Sequence, residues 1–193
     1  MPGFTRGREL EKMGCKVQDT AELSFVDVRV PAANVLGGEE GQAFSYLGGH
    51  NLAQERLTVA VGSVAQARSA IAAAIDYTQS RKAFGTPVAS FQNTKFELAA
   101  CSTEVEAAQA MLDRAVSLHV EGELSGADAA RVKLFCTEMQ QRVIDRCLQL
   151  FGGYGYMMEY PIARLYTDAR VARIYAGTSE VMKVIIAKSL GGL

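Results

Sequence analysis

The segment from Gln149 to Lys183, QLFGGYGYMMEYPIARLYTDARVARIYAGTSEVMK, constrains the fold most, because it alternates helical runs with glycine-rich breaks. Gly152 and Gly153 follow an apolar helical run and stop it, since glycine readily takes the left-handed conformation that a helix end needs. Pro161 suits the first turn of a new helix, where its missing N–H is not required. From there Ile162, Leu165, Ala169, Ala172 and Ile174 fall on roughly one face. Ala176 to Glu180, AGTSE, then turns sharply into a last helix. Thr178 or Ser179 can cap its free N–H groups, and such an N-terminus attracts anions or polar ligand oxygens. Spacing alone describes an αα-hairpin-like segment whose two glycine turns leave ligand-sized gaps beside the backbone.

The chain upstream has the same helical grain from Gly41 onward. Between Asn51 and Arg81, Leu57, Val61, Val64, Ile71 and Ile75 recur at three- and four-residue steps among many alanines, with Arg68 interrupting the stripe. Gly85 and Pro87 break the chain at FGTPV, and a second long helix is predicted from about Ser90 to His119. Gly122 and Gly126 mark the next turn, before a third helix from about Asp128 to Phe151; the last helix runs from Thr178 to Leu190. Such elements joined by short turns imply a mostly α, up-down helical bundle. The opening residues differ. Leu23 to Val30, LSFVDVRV, alternates β-branched and aromatic residues with Asp27 and Arg29 and reads as a strand ended by Pro31. The residues before it read as loop, so the strand's partners are expected to be absent, and 1–38 stands as a short β remnant ahead of a bundle domain, 39–193.

Composition narrows the function classes. A net charge of -1 gives no electrostatic case for a nucleic acid or an anionic membrane surface. Cys15, Cys101, Cys136 and Cys147 show no CxxC pairing and His50 and His119 stand apart, so no metal site is expected. Unpatterned cysteines suit a reducing cytosol, and neither a leader pattern nor a bilayer-length apolar run is read, so the expected location is cytoplasmic.

The wording of the segments is more specific than their spacing. QLFGGYGYMMEYPIARLYTDARVARIYAGTSEV closely resembles the C-terminal signature of the acyl-CoA dehydrogenases, and EKMG followed by DTAELSFVDVRVPAANVLG resembles the end of that family's middle β-barrel domain. The resemblance implies a flavin adenine dinucleotide (FAD) enzyme that desaturates acyl-CoA thioesters, a carboxylate removing the α proton while the β hydride passes to flavin N5. It also implies that a helical domain and most of the barrel precede this segment in full-length members. Since the barrel carries much of the contact with the flavin ring, this chain by itself is expected to bind flavin weakly or not at all.

In most of the family the base precedes the glycine of the turn motif, where this chain has Ala176. A subset that includes the isovaleryl and long-chain enzymes carries it on the first long helix of the domain, in a motif like QERL. Gln54-Glu55-Arg56-Leu57 matches, which makes Glu55 the candidate base and leaves Ala176 as room for it. Without the resemblance, Glu55 is one acid near a helix start, complementing the helix dipole.

The remaining site residues follow from the same resemblance. Arg81, in RKAFG, would meet the FAD pyrophosphate with its two-donor fork, often across a subunit boundary; on its own it reads as a helix-terminal arginine bonding carbonyls. Phe84 packs beside the cofactor or in the core, and Gln92 meets the adenine or ribose or is a surface glutamine. Gln149, Leu150, Phe151, Gly152 and Gly153 offer backbone groups to the cofactor. Thr178, Ser179 and Glu180 meet the flavin while capping the final helix. Tyr46, Ala53, Gln54, Arg56, Ala176 and Gly177 line the substrate side. The family also implies a homo-oligomer, a dimer or tetramer, and electron-transferring flavoprotein as acceptor. Two other readings stand beside it: a non-catalytic bundle lending oligomerisation and part of a cofactor site to a partner subunit, and an acyl-CoA oxidase relative.

Overall fold

The computed structural model describes residues 1–48 and 50–191; the side chain of His50, and with it the expected isolation of that histidine, lies outside the described residues. In chain order the elements are β1 (Phe4–Glu9), β2 (Ala21–Phe25), α1 (Ala43–Leu47), α2 (His50–Ser80), β3 (Lys82–Ala83), β4 (Thr86–Pro87), α3 (Gln92–Val120), α4 (Gly126–Gln149), α5 (Pro161–Ala169) and α6 (Ser179–Lys188).

Three long helices form an up-down bundle in which α4 is central, packed by α2, α3, α5 and α6. Its buried residues lie on most of its circumference, among them Ala129, Val132, Cys136, Met139, Val143, Ile144 and Cys147. The inner face of α2 is Ala53, Leu57, Ala60, Val64, Ala67 and Ala74, at steps of three, four and seven. That of α3 is Cys101, Val105, Ala108, Leu112 and Ala115. Small side chains let the helix backbones approach closely. The bulky stripe expected on α2 is therefore partly corrected: Val61 and Ile75 are 46% and 37% exposed, and alanines make the contact instead. An 18-residue window within Ala43–Ser80 reaches a mean hydropathy of 1.3, long and apolar enough for a membrane span by length and composition, contrary to the sequence reading. Part of this value comes from the buried alanines of α2, a helix that packs on α4.

Helix ends follow their capping chemistry. Ser125 caps α4, its Oγ accepting from the Asp128 N–H at 3.0 Å. Thr178 caps α6, its Oγ1 accepting from the Val181 N–H at 3.3 Å. Pro161 sits at the start of α5, as its fixed φ allows. α5 ends at Ala169 and tightens into a 3-10 turn over Arg170–Arg173, so Ile174 leaves the expected buried face and is exposed while Ile162, Ala169 and Ala172 stay buried.

The N-terminal segment departs from the sequence reading. The stretch read as loop contains β1, which pairs antiparallel with β2, Phe4 opposite Phe25 with ring centres 5.1 Å apart. The expected strand is shorter than 23–30, and Asp27 takes a positive φ just beyond it. Apart from Phe4, every residue of the two strands is exposed. The connecting loop docks on α5, where the Cys15 N–H donates to Asp168 Oδ1 at 2.6 Å. FGTPV also forms more than a break: β3 and β4 make a two-residue hairpin with Phe84 and Gly85 at φ 52 and 83. Positive φ at both central positions marks a type I′ turn, whose twist matches the strands.

Candidate cofactor and substrate site

The end of α2 and the turn after α4 meet through aromatic side chains. Tyr77 stacks on Phe151 with centroids 4.2 Å apart and donates its hydroxyl to the Phe151 carbonyl at 3.2 Å. Burial raises the Tyr77 pKa above the ordinary phenol range, partly opposed by Arg81. This packing carries Arg81 to the mouth of a cavity of about 650 Å³, whose walls include Leu150, Phe151, Gly152, Gly153, Tyr154 and Glu159. The Arg81 guanidinium lies 5.5 Å from the Tyr154 ring centre and forms no ion pair among the described residues. Gly152 has φ 58, and a Cβ on Gly152 or Gly153 would stand in open space. Bare backbone beside an unpaired guanidinium fits a dinucleotide's pyrophosphate.

Five expected cofactor residues are thus brought together: Arg81, Leu150, Phe151, Gly152 and Gly153. Gln149 closes α4 but is exposed outside the cavity wall, and Gln92 is exposed at the first position of α3. Phe84 is 97% exposed at the hairpin tip, 6.4 Å from the Phe91 ring, which removes the core alternative for it.

The second group gathers around the Ala176–Gly177 turn. Ala176 has φ 52 and Gly177 φ 99, and the left-handed backbone at 177 favours glycine. Lys133, fully buried on α4, donates its Nζ to the Gly177 carbonyl at 2.5 Å. Burial pushes the Lys133 pKa down, neighbouring Arg56 pushes it the same way, and Glu138 opposes both. Arg56 is only 9% exposed, and its Nε has no hydrogen-bond partner among the described residues. Burial lowers its pKa, with Glu55 opposing. Beside them, Glu138 Oε1 accepts from Ser179 Oγ and from Arg173 Nε, both at 2.9 Å.

Arg56 of the QERL motif thus lies near the Lys133 ammonium that bonds the turn. Glu55 and Gln54 are exposed on α2, next to buried Arg56. Ala53 is not on that surface; it belongs to the α2 core stripe. Tyr46 on α1 is half-exposed and its carbonyl accepts from Asn51 Nδ2 at 2.6 Å. Ser179 is buried, whereas Glu180 is exposed, its carboxyl held below the usual range by its own backbone N–H and then by the Thr178 side chain. Sequence reasoning missed Lys133, Glu138, Arg173, Tyr77 and Tyr154. Lys133 carried one signal: it is a charge within the run Ala129, Ala130, Val132, Cys136, Thr137, at spacings that keep it on the buried side.

The two groups lie well apart along α4, one at its C-terminal end and the other near Lys133. Lys133 and Gln149 are separated by about 24 Å at about 1.5 Å of rise per residue. That exceeds the span between a dinucleotide's pyrophosphate and its flavin ring.

Residues 46–191 match the family model "Acyl-CoA dehydrogenase, C-terminal domain". The chain is 45% identical over 190 residues to the mitochondrial long-chain specific acyl-CoA dehydrogenase of Mus musculus, covering 98% of this chain and 44% of that protein. It superposes on the crystal structure of an acyl-CoA dehydrogenase from Geobacillus kaustophilus with a TM-score of 0.94 at 47% identity, covering 98% of this chain and 50% of the other. A chain in a structure described as "Electron transferring flavoprotein of Acidaminococcus fermentans: Towards a mechanism of flavin-based electron bifurcation" is similar with a TM-score of 0.91 at 36% identity, again covering 99% and 50%. This chain therefore spans about half the length of these relatives. With a family model covering most of its residues and two of its relatives named for the same enzyme, the chain belongs to the acyl-CoA dehydrogenase family.

Proposed function

We propose that this chain supplies the helical half of a flavin-dependent acyl-CoA dehydrogenase site, with Glu55 as the base that removes the α proton of an acyl-CoA thioester. The observation that carries the reading is the Lys133–Gly177 hydrogen bond beside Arg56 of the QERL motif, which is near enough to Lys133 to depress its pKa; it supports placing Glu55 near the turn where the small Ala176 stands. A carboxylate exposed on the bundle surface becomes enclosed when an acyl chain lies over it, and enclosure favours proton uptake. The identity to a long-chain specific dehydrogenase supports the same placement, since the QERL motif resembles the subset to which that enzyme type belongs.

FAD, when bound, supplies the acceptor for the β-hydride. Arg81 and the Leu150–Gly153 backbone would hold its pyrophosphate end, and Thr178, Ser179 and Glu180 its flavin end. Because one chain sets these groups about 24 Å apart along α4, we read each cofactor site as shared between two copies, which implies a homo-oligomer. Residues 1–38 are read as the end of a β domain, supported by a hairpin whose strands are almost wholly exposed. Electron-transferring flavoprotein is the proposed acceptor, supported by the Acidaminococcus fermentans relative.

The test is anaerobic turnover of a panel of acyl-CoA thioesters by the flavin-loaded protein with a redox dye as acceptor, scoring the 2-enoyl product. Product from at least one thioester supports the reading. The competing reading, a non-catalytic bundle that completes a partner's site, is favoured by Ala176 standing at the usual base position. It would give product only when a partner chain is added.

A further inference from the structure

Among the described residues Lys133 is the one lysine with no solvent exposure, and its side chain donates to a backbone oxygen. That oxygen belongs to Gly177, in the turn that joins the 3-10 stretch after α5 to the cap of α6. A peptide unit is planar and trans, so its C=O and N–H point in opposite directions. With the Gly177 carbonyl drawn into the bundle toward α4, the Thr178 N–H must point outward, away from Lys133. The amides at a helix start have no partner within the helix, so an outward Thr178 N–H is a donor offered to whatever lies over the turn. Ala176 and Gly177 both have positive φ, a conformation that an alanine does not hold unaided. On the other side, the Ser179–Glu138–Arg173 bonds fix the residue that follows.

We propose that Lys133 is a positioning residue for the dehydrogenation: by tethering the Gly177 carbonyl it fixes the Gly177–Thr178 peptide so that its N–H, and the small Ala176 side chain, face the thioester. This rests on the dehydrogenase reading and adds to it a buried residue that itself touches neither substrate nor cofactor. The charged groups facing Lys133 are Arg56 from α2 and Glu138 from its own helix. The ammonium thus lies near a second cation and an acid, and among the described residues the Gly177 carbonyl is its hydrogen-bond acceptor.

The experiment compares Lys133→Met, which keeps length but has no donor, with Lys133→Arg, which keeps one. In the flavin-loaded protein, Lys133→Met should slow the rate of flavin bleaching by acyl-CoA about tenfold or more, while the half-saturating concentration moves less than about threefold, because an aim is lost rather than a binding contact. Lys133→Arg should recover part of that rate. Independently of activity, amide exchange at Val181 and Met182, whose N–H groups bond Thr178, should quicken about tenfold in Lys133→Met. A Lys133→Met protein that bleaches within about twofold of the parent, with unchanged exchange, overturns the proposal. If Lys133→Met does not fold, Lys133→Gln takes its place, and failure of both to fold overturns it too, since Lys133 would then serve folding alone. A parent protein that bleaches with no thioester sinks the dehydrogenase reading, while the exchange measurement still decides whether Lys133 sets the turn.

Discussion

The Arg81 guanidinium lies 5.5 Å from the centre of the Tyr154 ring, so the last turn of α2 and the loop after α4 meet through a cation and an aromatic face. Such a contact orients the planar guanidinium without consuming its N–H donors. Its N–H donors then remain for an anion entering the cavity beside Gly152. Arg81→Ala should weaken FAD binding by about 1.5–3 kcal/mol, the scale of a hydrogen bond to a charged group, read by fluorescence titration. Arg81→Lys should recover only part, because an ammonium lacks the fork. Unaltered affinity in both variants would place the pyrophosphate elsewhere.

Glu55→Gln keeps the shape of the α2 surface and removes the base. Turnover should fall by about 10²–10⁴-fold, the range of general base catalysis, with flavin content unchanged. Rapid-mixing measurement of flavin bleaching reads the proton-abstraction step directly. A variant with normal bleaching would move the base away from the QERL motif.

Phe84 combines full exposure with a left-handed backbone, an arrangement that strains a bulky side chain and contributes little to the fold. Phe84→Asn, favoured in a type I′ turn, should leave stability equal or raise it by up to about 1 kcal/mol. The same change should reduce flavin retention, measured as absorbance per protein after gel filtration, if the hairpin tip meets a cofactor. Retention equal to the parent's would assign Phe84 to another role.

How far these features could be read from the sequence depended on the length scale of the signal. The three long helices, Pro161 at the start of α5 and the break at Gly152 are local choices, and they appear within a few residues of the expected places. The juxtaposition of Arg81 with Leu150–Gly153 came from motif wording, because nothing in the periodicity relates residues so far apart. What was missed is tertiary. The alanines of α2 gain their role only from the helix they face, so the bulkier Val61 and Ile75 drew attention that the packing does not bear out. β1 was hidden because FTRGRE lacks a clear alternation and is defined by its pairing with β2. Lys133 has the composition of a solvated residue, and only the proximity of Gly177 explains its burial.

Ser125 and Asp128 make the start of α4 sensitive to acid. Asp128 Oδ2 accepts from Ser125 Oγ at 2.5 Å and Oδ1 accepts from Arg131 at 2.9 Å. The Ser125 hydroxyl first, with Arg131 adding to it and burial opposing both, holds the Asp128 carboxyl below the usual carboxylate range. A carboxyl whose pKa is depressed by folding contributes stability above its unfolded pKa and loses that contribution as pH falls through the folded value. Ser125→Ala should therefore lower stability by about 0.5–2 kcal/mol near neutrality and flatten the loss on acidification, read from urea midpoints at a series of pH values. Parallel pH curves for parent and variant would show that this cap does not couple to Asp128.

The visible spectrum of the flavin-loaded protein, recorded before and after anaerobic addition of a panel of acyl-CoA thioesters, tests the central claim most directly. The dehydrogenase reading requires the flavin bands to bleach with at least one thioester and to persist with free coenzyme A. Bands that survive every thioester would contradict it and leave the bundle as a binding module.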